Sequence, residues 1–267
     1  MTGTENMTNG MRALAEAQRA LPEPSAAQLP SGPAAYLRAG AGSPPAVLMS
    51  DPRIPPSSWA LVLQELSQLT TVFAADPHTV GIGSPSESSL NGTSIVDHTR
   101  AVLGAVGIQP PYVLVGHAHG GLHANLWARL HPEETAGVVL LESSHPDDDP
   151  YERRLRFVPR GLMRASMAIG GSTARNATER LLEQTAAELA AAGPFPAVPL
   201  TVITGGRTGA GPTVSPAQAA THAARQQQLV GLSPRGRQVI APHTTYLPQV
   251  TDSELVVRAV QDVIAGD

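Results

Sequence analysis

The chain alternates short apolar runs with longer stretches in which apolar side chains recur every three or four positions. The runs at residues 46–49, 71–75, 112–116, 137–141, 200–204 and 238–241 are mostly Val, Ile and Leu and show no in–out alternation. Continuous apolar runs of that kind predict strands buried on both faces. Between them, residues 57–69 carry Trp59, Leu63, Leu66 and Leu69 at helical spacing, and residues 94–106 carry Ile95, Val102, Leu103 and Val106. Residues 252–264 place Leu255, Val256, Val260 and Val263 behind Asp252, read as the N-cap. Strands alternating with helices predict an α/β fold, a mostly parallel sheet flanked by helices. Residues up to about 45 fit a short helix and an antiparallel edge hairpin.

One segment breaks the alternation. Residues 146–196 contain no strand pattern, only helical patterns at 151–169 and 173–192 separated by Gly170-Gly171. A helical insertion late in an α/β chain predicts a small cap over the strand ends, where open sheets bind ligands. The expected organisation is a core of residues 1–145 and 197–267 with a cap at 146–196.

Composition narrows the classes. The 267 residues are 42% hydrophobic, enough for a core, and Lys+Arg 18 against Asp+Glu 22 leaves a net charge of −4. With no basic block, nucleic acid is not an expected partner. The absence of cysteine excludes disulfides, thiolate metal sites and a Cys nucleophile. The first residues lack the charged-then-apolar order of a secretory leader, and no apolar run approaches a membrane span. A cytoplasmic protein with no membrane partner is expected, and homo-oligomerisation is left open.

The most informative stretch is Tyr112-Val-Leu-Val-Gly-His-Ala-His-Gly-Gly121, leading into a helical pattern. It has the strand–sharp turn–helix form of a nucleophile elbow, Gly-x-Ser-x-Gly. Gly137-Val-Val-Leu-Leu-Glu-Ser-Ser-His-Pro146 follows as the next strand, ending in an acid. In these motifs the chain resembles the α/β-hydrolase fold superfamily, and the resemblance covers most of its length. Asp76 with Gly81-Ile82-Gly83-Ser84 loosely resembles a family loop, at altered spacing.

The resemblance implies a serine nucleophile, an oxyanion loop, an acid and a histidine, and this sequence departs from each in turn. Ala118 occupies the nucleophile position, and a methyl group cannot attack a carbonyl. The loop implied to be His-Gly-X reads Ser50-Asp51-Pro52: proline has no N–H to donate, and Asp51 brings negative charge to the place of a developing oxyanion. Where the family carries His before Tyr, Thr245 precedes Tyr246 and the nearest histidine is His243. No carboxylate follows the 200–204 strand, which leaves Glu142, an acid position used by some members.

The candidate acid/base residues are therefore His243 and Glu142. Ser50, Asp51, Pro52, His119, Thr245 and Tyr246 are candidates for substrate binding. His117 reads as a structural histidine. His119 and His123 stand one helical turn apart, but without the accompanying Glu of the zinc-protease pattern, and no metal or cofactor is expected. Asp147-Asp148-Asp149 reads as a solvated cap entrance, and Arg153, Arg154 and Arg156 as a cationic lid surface.

Three functions stay open. The first is a non-hydrolytic enzyme, an epimerase, isomerase or cyclase moving a proton on a biosynthetic small-molecule or peptide intermediate, for which degenerate superfamily members such as the bottromycin epimerase give the precedent. The second is a serine esterase or amidase in which Ala118 replaces the nucleophile. The third is a ligand- or partner-binding pseudo-hydrolase.

Overall fold

A computed structural model of the chain describes residues 3–51, 54–75, 90–148, 172–207, 215–244 and 246–266. Helix α1 (Gly3–Arg19) leads into the hairpin β1 (Ser25–Leu29) and β2 (Gly32–Ala39). Then come β3 (Ala46–Met49), a 3-10 turn at Pro56–Trp59, α2 (Ala60–Leu66), β4 (Val72–Ala75), α3 (Gly92–Ala105), β5 (Tyr112–His117), α4 (His119–Leu130) and β6 (Thr135–Leu141). The remaining elements are α5 (Ser172–Ala191), β7 (Leu200–Gly205), α6 (Pro216–Val230), β8 (Gly236–Ala241), the short α7 (Pro248–Thr251) and α8 (Ser253–Ala265).

The strands form one eight-stranded sheet in the order β1-β2-β4-β3-β5-β6-β7-β8. The first two pairings are antiparallel and the other five parallel. Every residue of β3, β5 and β7 is buried, because helices cover both faces and leave no polar side for the chain to alternate with. One core layer packs Trp127 and Leu103 beneath the sheet; the other packs Trp59, Leu66 and Val260 on the opposite face. Each such side chain contributes about 1.5–3 kcal/mol when fully buried.

All six predicted strands are present, and the N-terminal helix and hairpin take their expected places. Two expectations are corrected, and one helix is present that the pattern did not predict. The 238–241 run is not a doubly buried strand: β8 is the sheet edge among the described residues, and Ile240 is 52% exposed. Asp252 does not cap α8, because its Oδ1 accepts the backbone N–H of His243 and lies 2.9 Å from the His243 ring. Helix α6 was not legible as an element, since the residues it buries are His222, Gln226 and Leu229, a stripe too polar to read as a core face. Of the predicted cap, α5 matches the 173–192 pattern and packs Leu182 and Leu189 against Leu122 and Leu126 of α4. The 151–169 pattern, the Gly170-Gly171 break, Arg153, Arg154, Arg156 and the 76–84 loop lie outside the described residues.

Registers align the strand ends. Met49 pairs with Gly116, Gly116 with Leu140, and Leu141 with Ile203. Ser50-Asp51, Ala118 and Glu142 therefore all leave the sheet along its carboxyl edge.

Candidate active site

The turn between β5 and α4 has the backbone of a nucleophile elbow. Ala118 sits at φ 52° and ψ −116°, outside the regions an L-residue prefers. Such a conformation costs about 1–3 kcal/mol and persists only where the surroundings enforce it. Here its N–H donates to Leu141 O at 3.1 Å, and its carbonyl accepts from Gly121 N and Ser144 N, both at 3.0 Å. The glycines are required by close approach: a Cβ on Gly116 would stand 2.6 Å from Gly120 O, and one on Gly120 would collide with Met49 O. The turn is intact and carries a methyl group.

Beside that methyl lies a carboxylate–imidazole pair. Asp51 follows β3, is fully buried, and places Oδ2 2.8 Å from Nδ1 of His119, the first residue of α4. The contact has the distance of an ion pair without the alignment of a hydrogen bond, and the carboxylate's charge favours a proton on Nδ1, the ring nitrogen nearest it. One turn along the same helix, His123 is buried, and its Nε2 has no hydrogen-bond partner among the described residues. Burial first, and the nearby His119 after it, push its pKa from 6.5 down to about 4 against the opposing effect of Asp51. His123 is therefore a neutral wall at physiological pH.

His117, on the last position of β5, is the structural residue its position suggested. Its Nε2 donates to the Tyr246 carbonyl at 2.8 Å, and its ring lies 4.8 Å from the Tyr246 ring. Burial lowers its pKa, so it too stays neutral. Tyr246 thus packs under the elbow with both ring and backbone. Ser50 accepts the indole N–H of Trp59 at 2.6 Å, which ties the start of the Asp51 loop to the core.

The two expected acid/base residues are not joined to each other. Glu142, itself at φ 43°, accepts Gly205 N–H at 2.5 Å through Oε1 and places Oε2 3.2 Å from Nε2 of His222. His243 pairs with Asp252 instead, and its side chain is 52% exposed. A Glu142–His243 relay is therefore not assembled. The sequence pattern did not single out His222, because it lies in a helix between two strands, far from the expected loop. The signal was its place at i with Gln226 at i+4, a polar stripe at helical spacing. That stripe docks α6 onto the segment after β6: Gln226 donates to Ser143 O at 2.8 Å, and Arg225 pairs with Asp148 at 2.8 Å. Asp148 is accordingly a buried ion-pair partner, while Asp147 is exposed as expected. Pro52, Asp149 and Thr245 lie outside the described residues.

This order of strands, with the elbow after β5 and an acid at the end of β6, decides the fold. The chain has the α/β-hydrolase fold. The family model described as alpha/beta hydrolase fold matches residues 54–164. Two uncharacterised Bacillus subtilis (strain 168) proteins, YqjL and YbdG, are each 24% identical, over 90 and 109 residues. Those matches span 34% and 40% of this chain and only 36% and 34% of the relatives' own lengths. Among solved structures, the enol-lactonase of Burkholderia xenovorans LB400 superposes with a TM-score of 0.66 at 16% identity, over 90% of this chain and 100% of that one. A thermophilic esterase from Thermogutta terrifontis superposes with a TM-score of 0.58 at 16% identity, over 90% and 97%. At these identities the likeness is one of fold. Among the described residues of this α/β-hydrolase-fold chain, no helix is long and apolar enough to cross a membrane.

Proposed function

We propose that the chain is a non-hydrolytic enzyme that moves a proton at a carbon next to a carbonyl, in an epimerisation, isomerisation or cyclisation of a small-molecule or peptide intermediate. The observation that carries this reading is the buried Asp51–His119 pair beside an elbow whose side chain is a methyl. In this reading His119 replaces His243 as the acid/base. Nε2 takes the proton from carbon and returns it; Asp51 stabilises the imidazolium formed between the two transfers. The first-turn N–H groups of α4 serve the developing enolate oxygen. Glu142 and His222 hold α6 against the segment that follows β6.

The test is exchange in deuterated water with N-acetyl amino-acid amides and short peptides, read by mass spectrometry. Catalysed C–H exchange is expected, and His119→Ala is expected to lower it at least about 100-fold. Exchange at the parent rate in His119→Ala would overturn the assignment.

A second reading is favoured by one feature. Ala118 keeps the backbone angles of a nucleophile, and named structural neighbours include an esterase and a lactonase. Ala118→Ser with p-nitrophenyl butyrate separates the two. No hydrolysis above the parent is expected, because His243, the histidine nearest the position the hydrolase pattern requires, is paired with Asp252 and half exposed; robust turnover from that one change would make the protein a hydrolase.

A further inference from the structure

The end of α1, strand β2 and the Pro55–Ser57 stretch enclose a cleft of about 500 Å³ that includes none of the elbow residues. That volume suits a small organic ligand. Its apolar walls include Leu21, Pro22, Pro24, Tyr36, Pro55 and Pro56. Proline rings and a tyrosine ring lose little conformational freedom on contact, so such a wall is preorganised for an aliphatic or ring-bearing group. The charged lining residues are Arg19 and Glu23. Among the described residues neither side chain has an ion-pair or hydrogen-bond partner, although one carries a fork of donors and the other two acceptors.

We infer that this cleft binds a small zwitterionic, peptide-like molecule, with Arg19 on its carboxylate, Glu23 on its ammonium and its apolar body against the prolines and Tyr36. A simple anion would meet Glu23 and a simple cation would meet Arg19, so a dipolar ligand is the one that satisfies both. The site does not rest on the proton-transfer reading.

The cleft is nevertheless coupled to the loop bearing Asp51. Ile54 N–H donates to Asp51 O at 2.8 Å, Gln18 donates to Ser57 O at 3.1 Å, and the fully buried Trp59 closes the loop onto Ser50. Ligand pressing on Pro55 and Pro56 therefore perturbs the surroundings of Trp59, which serves as the reporter.

The experiment titrates the full chain with the dipeptide Leu-Pro, followed by tryptophan emission and calorimetry. Saturable binding in the millimolar range or tighter is expected. Arg19→Ala and Glu23→Ala, both changes at exposed positions, are each expected to weaken it at least about tenfold through loss of a charge-assisted contact. N-acetyl-Leu-Pro-amide, which lacks both charges, is expected to bind more weakly still. No saturation by about 10 mM would overturn the proposal. So would an affinity unchanged in the Arg19→Ala/Glu23→Ala double variant, or binding that disappears in Ala118→Leu, which would place the dipeptide at the elbow.

Discussion

Two carboxylate–imidazole pairs in this molecule have nearly the same separation and both bury the carboxylate, but they hold their imidazoles in different surroundings. Asp51 and His119 meet at 2.8 Å with both side chains buried; Asp252 and His243 meet at 2.9 Å with the imidazole half in water. Distance alone does not distinguish them. Burial of the imidazole does: inside the elbow both partners are out of water and the carboxylate's charge acts through a low dielectric, while the half-exposed His243 ring is open to competing water although Asp252 is itself buried. The residue that the family's pattern singled out, His243, is the one in water.

The largest expected contrast is kinetic. His119→Ala is expected to lower carbon–hydrogen exchange at least about 100-fold, while His243→Ala stays within about twofold of the parent. Equal losses in both variants, measured as deuterium uptake per unit time, would erase the distinction.

Next comes acid stability. His123 stays neutral in the fold down to about pH 4, while in the unfolded chain it takes up a proton below about 6.5. The unfolded state binds more protons between those values, so stability is full above pH 6.5 and falls as pH drops toward 4. The loss from this group is on the order of 3 kcal/mol, and the buried His117, shifted the same way, adds to it. Urea unfolding at pH 7 and pH 4.5 is expected to show a smaller difference in His123→Asn than in the parent. The same pH slope in both proteins would contradict the assignment.

A smaller effect separates the other acids. Glu142→Gln weakens the bond a buried carboxylate accepts from Gly205 N–H and removes its charge from beside His222, and is expected to destabilise by about 1–3 kcal/mol. Asp252→Asn, in which the carboxylate is buried but its imidazole partner is half exposed, is expected to cost about 1 kcal/mol, the low end of that range. Thermal melts of the two variants check the order. The smallest change is expected at the elbow: Ala118→Gly relieves the positive φ but adds freedom to the unfolded chain, so a gain of no more than about 1 kcal/mol is expected. A clear loss of stability there would mean that the methyl is packed rather than strained.

How legible each feature was in the amino-acid sequence follows from how local its signal is. The strands were readable because a doubly covered sheet demands unbroken apolar runs, and β3, β5, β6 and β7 supply them. Helix α6 was not, because it buries His222 and Gln226 where a core face would show Leu or Val. The placement of four singled-out residues was legible, since Asp51, Ala118, His119 and Glu142 stand at strand ends along one edge of the sheet, whereas the pairing of His243 with Asp252 was not. The partnerships of the four were not legible either. Nothing near Glu142 in the chain announces His222, and Asp252 has the sequence position of a helix cap although its carboxylate is taken by His243.

The sequence by itself determined the α/β order, the elbow with its packed glycines, and the missing hydroxyl at Ala118, since each is written in adjacent residues. Tertiary structure alone decided which carboxylate serves which imidazole. A buried charge must find a partner wherever the fold brings one within reach, and the sheet order brings β3 beside β5, so Asp51 meets His119 across two neighbouring strand ends.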